Sequence, residues 1–287
     1  MQTVLVSGKN GQLGSELLNI YMSYPQCRFI FLGKEDLDLA SQTSIHAAFE
    51  QHSPDYFINC GAYTLVDKAE TERDIAEKIN GENVGYIAQL CKQRNATLIH
   101  ISTDYVFDGN SKHPYQTDDT TNPVNFYGQT KLHGEQLALQ ENDQTIIIRT
   151  AWVYSSFGKN FVKTMLRLMN EKNEISVVND QLGTPTYARD LATAICDIIS
   201  ADKKKYGICH FTNSGIISWF DFAVEIKNLA NLNCTINAIP TAQFPTPAKR
   251  PHYSVLDKSK IVDDYGIKLK DWKESLKECL QYLKPIA

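Results

Sequence analysis

The 287-residue sequence has no Cys-x-x-Cys pair, no long apolar run and no excess of basic charge, and each absence removes a class of function. Its seven cysteines (Cys27, Cys60, Cys91, Cys196, Cys209, Cys234 and Cys279) are odd in number and dispersed. That usage fits reduced thiols and argues against a disulfide framework or a cysteine-built zinc site. The seven histidines are scattered without ligand spacing, so no metal is expected. A formal net charge of -4 leaves no overall positive field to hold nucleic acid, although a local patch can still bind a small anion. No stretch approaches the roughly 18 consecutive apolar residues that a membrane span needs. The opening residues Met1–Gly8 carry neither a basic region nor an apolar run of secretory length. The expectation is a soluble, cytoplasmic protein whose ligands are small molecules, with no nucleic-acid or membrane partner.

What is present is an alternation of short apolar runs with helical patterns. Strand-like runs fall at Thr3–Ser7, Arg28–Leu32, Tyr56–Cys60, Thr97–Ile101 and Thr145–Arg149. Between them lie the helical stretches Gln12–Tyr21, Ser41–Gln51, Ile75–Arg94 and Thr130–Gln140. Such alternation implies βαβ units, and continuous apolar strands imply a parallel sheet covered on both faces. After Trp152 the pattern loosens: Phe161–Asn170, Asp190–Ser200, Trp219–Asn231 and Trp272–Leu283 read as helices and Ile175–Val178 as a strand. A proline-rich loop, Pro240–Pro251, interrupts this half, and loops of that length usually bind something. The expected fold is therefore α/β, a Rossmann-like doubly wound parallel sheet with a smaller C-terminal substrate-binding lobe. The dinucleotide-binding domain is expected over 1–152 with a return near 186–211, and the lobe over 153–287, interleaved with the first.

The segment Val4-Leu5-Val6-Ser7-Gly8-Lys9-Asn10-Gly11-Gln12-Leu13-Gly14 places three glycines three residues apart, directly after the first strand. Glycines there permit a tight turn and close approach of the backbone to a pyrophosphate. The N–H groups at Gly11, Gln12, Leu13 and Gly14 open a helix whose dipole favours phosphate. The Gly-x-x-Gly-x-x-Gly spacing resembles the extended short-chain dehydrogenase/reductase superfamily. That resemblance implies that Asp38 and Leu39 flank the adenine, while Gly61, Ala62 and Tyr63, closing the third strand, line the nicotinamide side. The second strand ends in Gly33-Lys34 where an acid would hold the ribose hydroxyls of NAD. With Lys9 and Lys34 nearby, NADP(H) is expected in preference to NAD(H).

Two further segments carry chemistry. Ile101-Ser102-Thr103-Asp104-Tyr105-Val106-Phe107 ends the fourth strand, where ligands of such folds bind. Tyr127-Gly128-Gln129-Thr130-Lys131 opens the next helix and puts Tyr127 and Lys131 on one helical face. Ketone reduction needs a hydride on carbon and a proton on oxygen. Tyr127 is a suitable proton donor, with the Lys131 ammonium expected to draw its pKa down and also to hold the nicotinamide ribose. Thr103 supplies a hydroxyl to orient the carbonyl. Together with Arg149-Thr150-Ala151-Trp152-Val153-Tyr154, Val178-Asn179-Asp180-Gln181-Leu182-Gly183-Thr184-Pro185-Thr186, Asn59–Glu70 and Pro245–Pro251, these segments are similar to those of the dTDP-4-dehydrorhamnose reductases, in order along nearly the whole chain.

The resemblance implies NAD(P)H-dependent reduction of the 4-keto group of dTDP-4-dehydro-L-rhamnose to dTDP-L-rhamnose, a step in making sugar donors for cell-surface polysaccharides. It carries Tyr127, Lys131 and Thr103 over as the catalytic set, and Thr103, Asp104 and Trp152 as contacts to a dTDP-linked deoxysugar. Arg250 is a candidate for its diphosphate, since guanidinium pairs phosphate bidentately. Some relatives form a dimer bridged by magnesium through glutamates. Glu16 keeps one such position, but Arg189 stands where another acid is expected, so no bridging metal and a monomer or weak homodimer are expected. Two other readings stay open: a non-catalytic cofactor-binding regulatory subunit, and a reductase or epimerase of a related nucleotide sugar.

Overall fold

Strand pleating distributes the apolar runs onto two faces. Val4 and Val6 face one apolar cluster with Ile58, Ile99, Ile146 and Ile148, while Leu5, Phe57 and Leu98 face another. A strand buried on both sides belongs inside a covered sheet. The structure, a computed structural model, describes residues Met1–Leu283, so 284–287 of the expected C-terminal lobe lie outside the described residues.

The first half runs β1 (Gln2–Ser7), α1 (Gln12–Ile20), β2 (Cys27–Leu32), α2 (Gln42–His52) and β3 (Tyr56–Asn59). Two short helices follow, α3 (Val66–Ala69) and α4 (Arg73–Glu77), then a π-turn over Lys78–Glu82 and α5 (Asn83–Gln93). This stretch then closes with β4 (Thr97–Thr103), α6 (Phe126–Glu141) and β5 (Thr145–Thr150). Helix α6 starts four residues before the expected Thr130, because the Asn125 side chain accepts from the Gly128 N–H and caps it earlier. The expected single helix from Ile75 to Arg94 is broken by the π-turn. That turn lets Asn80 donate to the Tyr63 carbonyl and to the Thr130 hydroxyl of α6.

The second half comprises β6 (Val153–Tyr154), α7 (Phe161–Glu171), β7 (Glu174–Val178), β8 (Leu182–Gly183), β9 (Thr186–Tyr187) and α8 (Ala188–Ser200). It continues with β10 (Gly207–His210), β11 (Ile217–Ser218), α9 (Trp219–Leu229), β12 (Thr235–Ile239), α10 (Ser259–Tyr265) and α11 (Trp272–Tyr282). The main sheet has six strands in the order β10-β5-β4-β3-β1-β2, all paired in parallel. Helix α8 adds Leu191, Ile195 and Ile198 to the cluster under β1, and β10 joins the sheet edge beside β5. A separate apolar cluster gathers Tyr154, Met165, Tyr187, Phe222, Trp272 and Leu276. The chain reverses its strand order between β1 and β3, and the crevice at their carboxyl ends is where ligands of such sheets bind.

Candidate active site

At the carboxyl end of β1 the glycine loop forms a cradle. Gly14 stands where a Cβ would come 2.3 Å from the Gly8 carbonyl oxygen, so a larger residue would push the loop off the helix. Gly11 is the N-cap of α1, no side chain caps that end, and the first turn holds no acid. The backbone N–H groups of Gln12, Leu13 and Gly14 thus lie at a helix start suited to a phosphate. The Gln12 side chain is otherwise engaged, donating to the Val153 carbonyl and accepting from Asn160. Leu13 is buried in the core below. Leu39 packs against Gly61, which joins the Asp38–Leu39 segment to the Gly61–Tyr63 segment on one side of the crevice. These residues fit a dinucleotide.

The end of β2 differs from the sequence reading. The chain turns back after Lys34, so a Cβ on Gly33 would meet the Glu35 carboxylate at 2.5 Å, and Asp36 accepts from the Gly33 N–H at 3.1 Å. Acid is therefore present at this strand end after all. Lys9 is not free either, with its Nζ 2.9 Å from Asp36 and 3.4 Å from Glu35.

Beyond β4 the polar groups converge. Thr103 donates to Asp104 Oδ1 at 3.0 Å and accepts from the Tyr105 N–H at 3.2 Å. Asp104 is buried, its Oδ2 has no partner among the described residues, and burial pushes its pKa up to about 7. The start of α6 approaches so closely that a Cβ on Gly128 would lie 2.2 Å from the Tyr105 carbonyl oxygen. This contact sets Tyr127 beside Tyr105, the rings edge to face at 5.8 Å. Burial, then the Asp104 carboxylate, push the Tyr127 phenol up to about 12, with Thr103 pulling weakly the other way. The expected lowering by Lys131 is not seen. Lys131 is itself 2 % exposed, and burial draws it down to about 8. Its Nζ lies 2.7 Å from the Ile101 carbonyl oxygen and 3.0 Å from His100 Nε2.

Two residues past the end of β5, Trp152 takes a left-handed backbone, φ +50°. An aromatic residue rarely holds that conformation without a structural demand. Its ring stacks on Trp219 with centroids 3.6 Å apart, a partner that sequence did not suggest. Arg250 borders a cleft lined by Thr64, Leu65, Val66, Asp67 and Lys68. Its guanidinium already grips Asp67 through two bonds of 2.6 and 2.8 Å, so a diphosphate there would have to share or displace that carboxylate.

Glu16 is fully buried, accepts from the Ser155 hydroxyl at 2.6 Å and leaves Oε2 unpartnered. Arg189 lies close enough to act on it and is 3.8 Å from Glu278. A fixed guanidinium among these acids does not fit a divalent ion. Sequence reasoning also missed the buried pair Glu135–Arg149, which ties α6 to β5 with bonds of 2.7–3.2 Å. His100, Asn59 and Ser7 went unnoticed as well. No helix among the described residues is long and apolar enough to cross a membrane.

Comparison with known proteins extends this geometry. The family model described as RmlD substrate binding domain matches residues 1–284. A dTDP-4-dehydrorhamnose reductase of Aggregatibacter actinomycetemcomitans is 39% identical, over 98% of this chain and 99% of the relative. The crystal structure of such a reductase from Clostridium acetobutylicum superposes with a TM-score of 0.93 at 41% identity, covering 98% of this chain and 99% of that one. One from Bacillus anthracis, solved in complex with NADP, gives 0.93 at 36% identity with 98% and 99% coverage. Matched from end to end in sequence and in fold, this chain belongs to the RmlD substrate-binding-domain family, that of the dTDP-4-dehydrorhamnose reductases.

Proposed function

We propose that this chain reduces the 4-keto group of dTDP-4-dehydro-L-rhamnose to dTDP-L-rhamnose. The observation that carries the reading is the convergence of Tyr127, Thr103, Asp104 and buried Lys131 at the carboxyl edge of the sheet, beside the glycine cradle. The relatives' names supply the sugar. A bound nicotinamide would deliver hydride to the keto carbon, held by the Gly8–Gly14 loop, Asp38, Leu39, Gly61, Ala62, Tyr63 and Lys131. The remaining work belongs to the side chains. Tyr127, with a phenol pKa near 12, is fully protonated at neutral pH. It is therefore a proton donor, and transfer to the more basic alkoxide formed at the sugar C4 is downhill. Thr103 orients the carbonyl by turning towards it the hydroxyl hydrogen that it otherwise gives to Asp104 Oδ1, and the unpartnered oxygen of Asp104 is available to a sugar hydroxyl.

The unit built on the six-stranded sheet, residues 1–152 with the return near 186–211, holds the cofactor, and the smaller lobe, 153–287, holds the dTDP-sugar through Arg250, with Trp152 at the border between them. NADP(H) is the preferred cofactor in this reading, supported by Lys34 and by the NADP bound to the Bacillus anthracis relative. Glu35, folded against Gly33, is the group that opposes a 2′-phosphate. No bridging metal and a monomer or weak homodimer follow from Arg189. The test is absorbance at the nicotinamide band with enzymatically made dTDP-keto-sugar, using NADPH and NADH in turn. Wild type should consume NADPH, and Tyr127→Phe should lose about 10²–10⁴-fold in kcat. Full turnover by that variant would overturn the assignment of the acid.

A further inference from the structure

Three polar residues interrupt three apolar strands at one level of the sheet. Ser7 of β1 is in register with Asn59 of β3, and Asn59 with His100 of β4. Two residues earlier on the same strands stand Leu5, Phe57 and Leu98, which share one apolar cluster. The period of two therefore puts Ser7, Asn59 and His100 on that same face, the side on which α5 contributes Ile87, Ala88 and Cys91 and α6 contributes Ala138. All three are at most 1 % exposed. They are joined end to end. The Gly61 N–H donates to Ser7 Oγ at 3.2 Å, Ser7 Oγ to Asn59 Oδ1 at 2.8 Å, and Asn59 Nδ2 meets His100 Nδ1 at 3.2 Å. His100 Nε2 then lies 3.0 Å from Lys131 Nζ, whose other partner is the Ile101 carbonyl.

We propose that His100 is a positioning residue for Lys131, fixing its amine through Nε2 while Nδ1 anchors the ring, through Asn59 and Ser7, to the Gly61 backbone that lines the nicotinamide side. The proposal rests on the reductase reading above for the role of Lys131. A buried polar group must be partnered, and an imidazole is suited to this place because its two nitrogens face opposite neighbours. Because Asn59 Nδ2 can only donate, His100 Nδ1 accepts and the neutral ring carries its proton on Nε2, from which it donates to a Lys131 amine. The Lys131 nitrogen in turn donates to the Ile101 carbonyl, so both neighbours fix where it stands. The charge that acts on Lys131 comes from Glu135 of its own helix, which Arg149 of β5 already grips.

The two ring nitrogens can be tested separately. A glutamine amide reaches as far from Cβ as Nε2, and an asparagine amide as far as Nδ1. His100→Gln should keep the hold on Lys131, with kcat and the NADPH dissociation constant within about threefold of wild type. His100→Asn and His100→Leu should lose roughly 10–100-fold in kcat and weaken NADPH about tenfold, with KM for the keto-sugar unchanged. NADPH affinity is read by fluorescence without sugar, so it tests His100 independently of turnover. Wild type that binds NADPH but does not turn over the dTDP-keto-sugar would overturn the substrate reading, and the Gln–Asn contrast in affinity would still decide the role of His100. Equal behaviour of the Gln and Asn variants would overturn it. If His100→Leu does not fold, that pair carries the test, since both members keep a polar group in the chain.

Discussion

Burial acts in one direction on Tyr127 and Asp104, with different chemical results. The phenol, already protonated at neutral pH, is only more firmly a donor. The carboxyl is moved into the working range, to about 7 from an ordinary value near 4. Between those values the folded chain holds a proton on Asp104 that the unfolded chain releases. The native state binds more protons there, so unfolding free energy falls as pH rises through this window. Above about pH 7 the ionised, buried carboxylate is a standing cost. Asp104→Asn carries no charge at any pH. It should therefore be more stable than wild type at pH 8, by on the order of 3 kcal/mol, and this advantage should shrink at pH 5 where wild type is protonated. Urea midpoints of both proteins at the two pH values check this. An unchanged difference between them would mean that burial does not hold the proton on Asp104.

At the level of elements, the site depends on how closely α6 meets the end of β4. Alanine has the higher helix propensity, so Gly128→Ala taken alone would favour the helix. The added Cβ would instead lie 2.2 Å from the Tyr105 carbonyl oxygen, and the helix start carrying Tyr127 must move away. The expected outcome is a loss of about 10²-fold in kcat, with the cooperative thermal transition retained. Steady-state kinetics beside a melting curve distinguish this from unfolding, and wild-type turnover would refute the positioning argument. Much of this frame was legible beforehand. Strands β1 to β5 fall within two residues of their expected bounds, because each carries a continuous apolar run that the covered sheet shelters. The glycine loop and the Tyr127–Lys131 pair were legible because each is a local spacing. What stayed hidden is set by register and return contacts. Ser7, Asn59 and His100 read as isolated polar interruptions until β1, β3 and β4 lie side by side. Asp67 and Arg250 meet across 183 residues of chain. The fold-back of Glu35 onto Gly33 reversed the apparent absence of acid at β2, and a π-turn such as Lys78–Glu82 leaves no mark in composition.

For the molecule as a whole, the decisive packing is that of α8 on α1 beneath the sheet. It brings Arg189, the second residue of α8, into the field of Glu16 on α1, and α11 brings Glu278 to the same place. Burial raises the pKa of Glu16 most, and the Ser155 hydrogen bond, then Arg189, offset part of that rise. The guanidinium also lies over the Tyr282 ring at 4.6 Å, so it is held from two sides. Asp190 beside it is likewise committed, to Lys270 at 2.9 Å and to Asn213 and Ser275. Two cations of the chain itself thus already stand among these acids, Arg189 beside Glu278 and Lys270 beside Asp190. An added magnesium ion would have to displace a cation that is covalently tethered beside these acids. The mass in solution should therefore be the same with millimolar magnesium as with a chelator, and the melting temperature should not rise with the metal. Light scattering on a sizing column decides this, and a magnesium-dependent dimer would show that Arg189 swings clear of Glu16 and Glu278.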